Sequence, residues 1–137
     1  MRSVFVPGVP APQGSKSFKG RRGGKAILIE SSKAVGPWRE RVALAAHSNA
    51  PGLSDGPVGI DLTFILPRPK STPKRKPTPP ATKRPDIDKL ARAILDALTG
   101  VWFTDDSTVI DLRATKRIAE PDETTGVLIT IKERTND

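Results

Sequence analysis

The chain contains no cysteine, no tyrosine and only one histidine, His47, among its 137 residues. Without cysteine there is no disulfide frame and no thiolate zinc site, and a reducing interior suits such a chain. Four Phe and two Trp are few rings for stacking unpaired bases, which counts against an RNA-binding protein. No apolar run approaches the roughly 20 residues that a membrane helix needs. The stretch Met1–Pro7 lacks the apolar core of a signal peptide. These absences lead to the expectation of a cytoplasmic protein with no membrane partner. Acid is also missing where it would be ordinary, since residues 1–29 carry none.

What is present is basic charge. Lysine and arginine number 23 against 15 acids, a formal net charge of +8, which favours nucleic acid as the partner. At 36% hydrophobic and 28% charged, the length suits a single domain, 1–137, around one core. Two basic, irregular stretches interrupt it. One, at about 10–25, gathers Lys16, Lys19, Arg21, Arg22 and Lys25 among Gly and Ser. The other, 67–85, holds seven basic residues and no acid up to Arg84, and is predicted to be an exposed, partly extended or mobile loop. Six aspartates then fall between Asp86 and Asp111.

Hydrophobic spacing outlines the elements. Ser3–Val6 reads as a strand, and Ala26–Ile29 as a second one paired with it. A helix is expected from Pro37, with Trp38, Val42, Ala45 and Ala46 as its buried stripe, ending before Pro51. Val58–Leu66 alternates with period two and should bury one face. Ile87, Leu90, Ala91, Ile94 and Leu98 recur at helical spacing, with Asp86 at the N-cap position and Gly100 just past the end. Val109–Lys116 and Gly126–Glu133 read as strands, expected to form an antiparallel pair. The order predicts an α/β (α+β) fold, a small mixed parallel and antiparallel sheet with two main helices packed on it. Trp38 and Trp102 are assigned to the core or a dimer interface, and His47 to a helix surface.

The second helix is flanked by two aspartate pairs, Asp86/Asp88 and Asp105/Asp106. In a basic chain, grouped carboxylates repel a polyanion unless a cation intervenes. With no cysteine and one histidine, the carboxylates select a hard cation, Mg²⁺ or Mn²⁺, over zinc. Asp86 and Asp88 would point about 200° apart in one regular helix, so they converge only if Asp86 lies outside it, at the cap. Asp105–Asp106 must return from the far end: twelve helical residues span about 18 Å, and four extended ones cover about 13 Å. Arg92, one turn after Asp88, or Lys89 would supply a cation for a phosphate. The competing reading takes Asp86 as a cap, Asp88 as a first-turn charge beside the helix dipole, and Asp105–Asp106 as an exposed turn. Asp96 and Asp111 are expected to be solvated or ion-paired.

The string Arg84-Pro85-Asp86-Ile87-Asp88-Lys89-Leu90-Ala91-Arg92 through Asp96-Ala97-Leu98-Thr99-Gly100, then Trp102-Phe103-Thr104-Asp105-Asp106-Ser107, resembles the RusA family of Holliday junction resolvases, common in phages and prophages. The opening Val6–Lys16 looks like the start of many phage members. The resemblance implies that Asp86, Asp88 and Asp106 are metal-site and catalytic aspartates, with Asp105 a further metal contributor. It places Arg92 where the family carries a catalytic lysine, and Lys89 where it carries asparagine. Arginine keeps the charge but does not give up a proton near neutral pH, so an electrostatic role survives. The resemblance further implies a homodimer acting on branched DNA, chiefly four-way junctions, with Mg²⁺ or Mn²⁺ as cofactor, in DNA recombination and repair. DNA-backbone contacts are then expected from Lys16, Arg21, Arg22, Lys74, Arg75, Lys76, Lys83, Arg84 and Lys89. The alternative is a non-catalytic basic DNA-binding protein whose aspartates are structural.

Overall fold

The computed structural model describes the backbone of residues 2–14, 16–22, 25–30, 33–49 and 52–134, and side chains outside 15–32. The elements in chain order are β1 (Arg2–Pro7), β2 (Lys16–Arg22), β3 (Lys25–Glu30), α1 (Val35–Ser48), β4 (Val58–Leu66) and α2 (Ile87–Leu98). A single 3-10 turn at Asp106–Thr108 then leads into β5 (Val109–Ile118), and β6 (Gly126–Glu133) closes the order. The main sheet has four strands in the order β1-β6-β4-β5. β6 runs antiparallel to both β1 and β4, whereas β5 runs parallel to β4, so the sheet is mixed as expected.

Two expected pairings differ. Ala26–Ile29 does pair, but with Lys16–Arg22 in a separate two-stranded ribbon and not with β1. The last two strands are not neighbours, because β4 lies between them. β4 is the most apolar strand of the chain, and burying it on both edges is what separates β5 from β6. Its parallel partner β5 is reached through α2, since a parallel pair requires a crossover.

One face of the sheet carries the core. Ile60, Leu62 and Phe64 of β4 alternate inward, in register with Ile131, Ile129 and Val127 of β6. Val6 of β1 joins them. Helix α1 packs beside β1 and α2 beside β5, and the two helices touch each other. α1 begins at Val35, two residues before Pro37, which still falls in the first turn, where its missing N–H is harmless. Its buried residues are Val35, Trp38, Val42 and Ala46, with Ala45 only partly covered. α2 buries Leu90, Ala91, Ala93, Ile94, Ala97 and Leu98, all but its polar flank.

Both tryptophans lie in the core, and His47 is exposed at the end of α1. The Trp102 indole N–H donates to the Ala46 carbonyl at 2.8 Å, tying the chain after α2 to the end of α1. Gly126 starts β6 where a Cβ would overlap the Val6 carbonyl oxygen, so only glycine lets β1 and β6 approach there.

The basic stretch 67–85 is exposed but not formless. Turns close from Thr72 N–H to the Pro69 carbonyl, and from Lys76 N–H to the Pro73 carbonyl. The Arg68 guanidinium draws the stretch together, donating to Thr78 Oγ1 (2.6 Å), the Pro73 carbonyl (3.0 Å) and the Lys76 carbonyl (2.7 Å). A sequence this rich in proline, with no apolar periodicity, gives no sign that one arginine would organise it.

Candidate active site

Asp86 takes the N-cap position of α2 with an extended backbone (φ −70°, ψ 139°), after a cis Arg84–Pro85 peptide bond. Its carboxylate does not cap the helix; Oδ2 lies 3.9 Å from Lys89 Nζ. Asp86 therefore stands outside the helix, as convergence with Asp88 requires. It lines a groove of about 700 Å³ together with Gln13, Lys33, Arg84 and Lys89. The Gln13 N–H donates to the Lys89 carbonyl at 3.0 Å, which seats the segment after β1 against the first turn of α2.

Asp88, Arg92 and Asp96 follow one another at i, i+4 and i+8 on the exposed flank of α2, a spacing that aligns them on one face. With Asp106 and Leu112 they line a concavity of about 250 Å³. Its second wall is the start of β5, an edge strand, so the hollow opens at the margin of the sheet. Asp106 is brought there by a tight return. Gly100 takes φ 83°, its N–H donates to the Phe103 carbonyl at 2.7 Å, and Trp102 and Phe103 drop into the core. Ser54 then pins the return, accepting from Thr104 N–H and donating to the Trp102 carbonyl. The connection is thus not the extended four-residue path that would reach the helix start. It is a compact turn anchored by two aromatic side chains, and Asp106 enters the flank of α2 from the side.

Asp105 caps the 3-10 turn, accepting from Ser107 N–H at 2.9 Å. That backbone bond, then the neighbouring Asp106 carboxyl and the Ser107 hydroxyl, hold its carboxyl below the ordinary carboxylate range. Asp96 pairs with Arg39 of α1 at 3.8 Å, and Asp111 with Arg134 at 2.7 Å, so both are ion-paired as expected.

The four aspartates expected at the metal are therefore distributed. Asp88 and Asp106 share one concavity with Arg92, Asp105 adjoins Asp106, and Asp86 faces the neighbouring groove with Lys89. Among the described residues no three carboxylates or imidazoles converge closely enough to hold a metal ion by themselves. The donor set nonetheless fits Mg²⁺ or Mn²⁺. Asp88 and Asp106 are exposed oxygen donors, and Mg²⁺ is commonly held by one or two carboxylates while keeping several waters.

Of the expected DNA-contact residues, Lys74, Arg75, Lys76, Lys83 and Arg84 are exposed, and Lys89 is half-buried. Lys74 also pairs with Asp122 at 3.2 Å. The side chains of Lys16, Arg21 and Arg22 lie outside the described residues. Three positioning residues gave no sign in the sequence. Lys116 of β5 donates to the Lys83 and Pro85 carbonyls at 2.9 and 2.8 Å. Arg39 holds the Gln13 side chain at 2.6 Å besides pairing with Asp96. Arg68 is the third. Arg39 and Lys116 work through contacts far away in the chain, and Arg68 mostly through nearby backbone carbonyls, none of which a residue pattern reveals.

A family model described as Endodeoxyribonuclease RusA matches residues 7–132. The chain belongs to the RusA endodeoxyribonuclease family. The RusA match runs from the last residue of β1 into β6 and includes both aspartate pairs, Arg92 and the basic stretch 67–85. The chain is also similar to Uncharacterized protein YqaN of Bacillus subtilis (strain 168). The two are 32% identical over 125 residues, covering 84% of this chain and 86% of that protein. No helix among the described residues is long and apolar enough to cross a membrane.

Proposed function

We propose that this RusA-family protein is a metal-dependent, structure-specific endodeoxyribonuclease that resolves four-way junctions and related branched DNA during recombination and repair. The observation that carries the reading is the meeting of Asp88, Arg92 and Asp106 in one concavity at the sheet margin. Asp88 and Asp106 would hold Mg²⁺ or Mn²⁺, with Asp105 and Asp86 contributing from either side. A bound divalent cation supplies a polarised phosphodiester and a water of lowered pKa.

The remaining work falls to the chain's own residues. Arg92 lies one turn from Asp88 and presents a permanently charged fork to phosphate oxygens, stabilising negative charge that builds up during cleavage. It serves as an electrostatic group and not as a proton donor. Lys89 and Arg84, lining the groove beside Asp86, steady the flanking phosphates. Lys74, Arg75, Lys76 and Lys83 extend this basic track along the junction arms, as would Lys16, Arg21 and Arg22. Two such sites related by a two-fold axis in a homodimer suit a substrate whose two strands are cut symmetrically.

The test compares cleavage of a synthetic four-way junction with a linear duplex of the same sequence, with and without Mg²⁺. Metal-dependent cleavage of the junction alone is expected, and Asp88→Asn should abolish it while junction binding persists. Binding without product under any metal would replace this reading with a non-catalytic DNA-binding protein.

A further inference from the structure

The basic stretch 67–85 poses a physical problem for DNA binding. A loop that must be ordered on contact loses affinity to its own conformational entropy. The stretch already makes internal hydrogen bonds, and three of them come from one side chain. Arg68 donates through Nη1 to Thr78 Oγ1, and through Nη2 to the Pro73 and Lys76 carbonyls. Its Nε is buried and has no partner among the described residues. A guanidinium committed in this way cannot offer its fork to a phosphate. The residues around it differ: Lys70, Lys74, Arg75 and Lys76 are all exposed.

We propose that Arg68 is a positioning residue that folds this stretch into a preformed platform for the DNA backbone, without touching DNA itself. The inference rests on the reading of the protein as a DNA-binding nuclease and adds a division of labour among its cations. Arg68 closes the turn at Pro73–Lys76, and the closed turn holds Lys74, Arg75 and Lys76 outward as one unit. The geometry requires arginine, because a lysine ammonium cannot reach three acceptors on two sides of a turn from a planar fork.

The experiment measures junction affinity of the full chain across a salt series for Arg68→Gln, Arg68→Lys and the triple variant Lys74→Gln/Arg75→Gln/Lys76→Gln. Limited trypsin digestion after Lys74 and Arg75 is followed in parallel. Each phosphate contact contributes about −0.9 to the slope of log K against log salt. Both Arg68 variants are expected to weaken binding about tenfold with an unchanged slope, and to speed digestion. The triple variant should weaken binding and flatten the slope. Retained affinity in Arg68→Lys, or a flatter slope in Arg68→Gln, would make Arg68 a phosphate contact and overturn the proposal. So would unchanged affinity in both Arg68 variants alongside a weakened triple variant, which leaves the DNA-binding reading intact. If the triple variant also binds the junction normally, the platform falls together with the assignment of this stretch to DNA.

Discussion

The Lys116 ammonium donates to the Pro85 carbonyl at 2.8 Å, and so ties the edge strand β5 to the peptide that delivers Asp86. The same ammonium holds the Lys83 carbonyl at 2.9 Å. In the β4–β5 register Lys116 lies beside Phe64, on the side of the sheet that faces the helices. The start of α2 is therefore fixed from β5, two elements further along the chain.

Replacing Lys116 with Met keeps the aliphatic stem and removes the donor. Stability should fall by about 2 kcal/mol, as expected for lost hydrogen bonds from a charged group. Junction cleavage should fall further than junction affinity, because Asp86 loses its anchor while the basic track stays. Thermal denaturation and single-turnover cleavage check the two parts separately.

Arg92 tests the electrostatic assignment. Arg92→Gln should lower the cleavage rate about 100-fold, the usual loss when one preorganised donor to developing charge is removed. Arg92→Lys should retain most of the activity, since a point charge still reaches the phosphate. Equal loss in both variants would mean that the planar fork, and not the charge, is what the reaction uses.

Trp102→Phe keeps a buried aromatic ring, smaller than the indole, and loses the N–H that reaches the Ala46 carbonyl. A cost of about 2 kcal/mol or more is expected, because a buried acceptor loses one of its partners and the smaller ring leaves a cavity in the core. The return after Gly100 should loosen with it, so cleavage should drop more in this variant than in an equally destabilised variant of β1. A matched pair of urea melts with cleavage rates decides the point.

Glu123 provides a pH signature remote from the site. Its carboxylate receives both Arg117 Nη atoms at 2.7 Å and the Glu120 N–H at 2.9 Å. The Arg117 bonds, then the Glu120 N–H, lower its pKa from 4.5 to about 2. Since the folded value is the depressed one, the stabilisation is full above 4.5, fades as pH falls through that window and is gone below about 2. Glu123→Gln should therefore melt at a lower temperature than the parent at pH 7, with the gap closing as pH approaches 2.

Much of this molecule can be read directly from its residues. The period-two alternation of Val58–Leu66 and the helical stripe from Leu90 to Leu98 arise from local geometry, so strand, helix and buried face follow from spacing alone. The cap position of Asp86 and the stop at Gly100 are equally local. The family motif adds the proposed site, because Asp86, Asp88, Arg92, Asp105 and Asp106 form a compact string around one helix.

Strand partners and the meeting of carboxylates belong to the tertiary structure. Which strands flank β4 depends on competition for the most apolar strand, and every alternating segment can claim it equally well from its own sequence. Where Asp106 enters depends on Trp102 and Phe103, which spend the return on filling the core instead of extending it. Arg39 and Lys116 act on groups distant in the chain and Arg68 on carbonyls of its own loop, and a carbonyl leaves no mark in an amino-acid sequence. The chemistry of the site is therefore written in the residues, and its geometry is decided by packing around them.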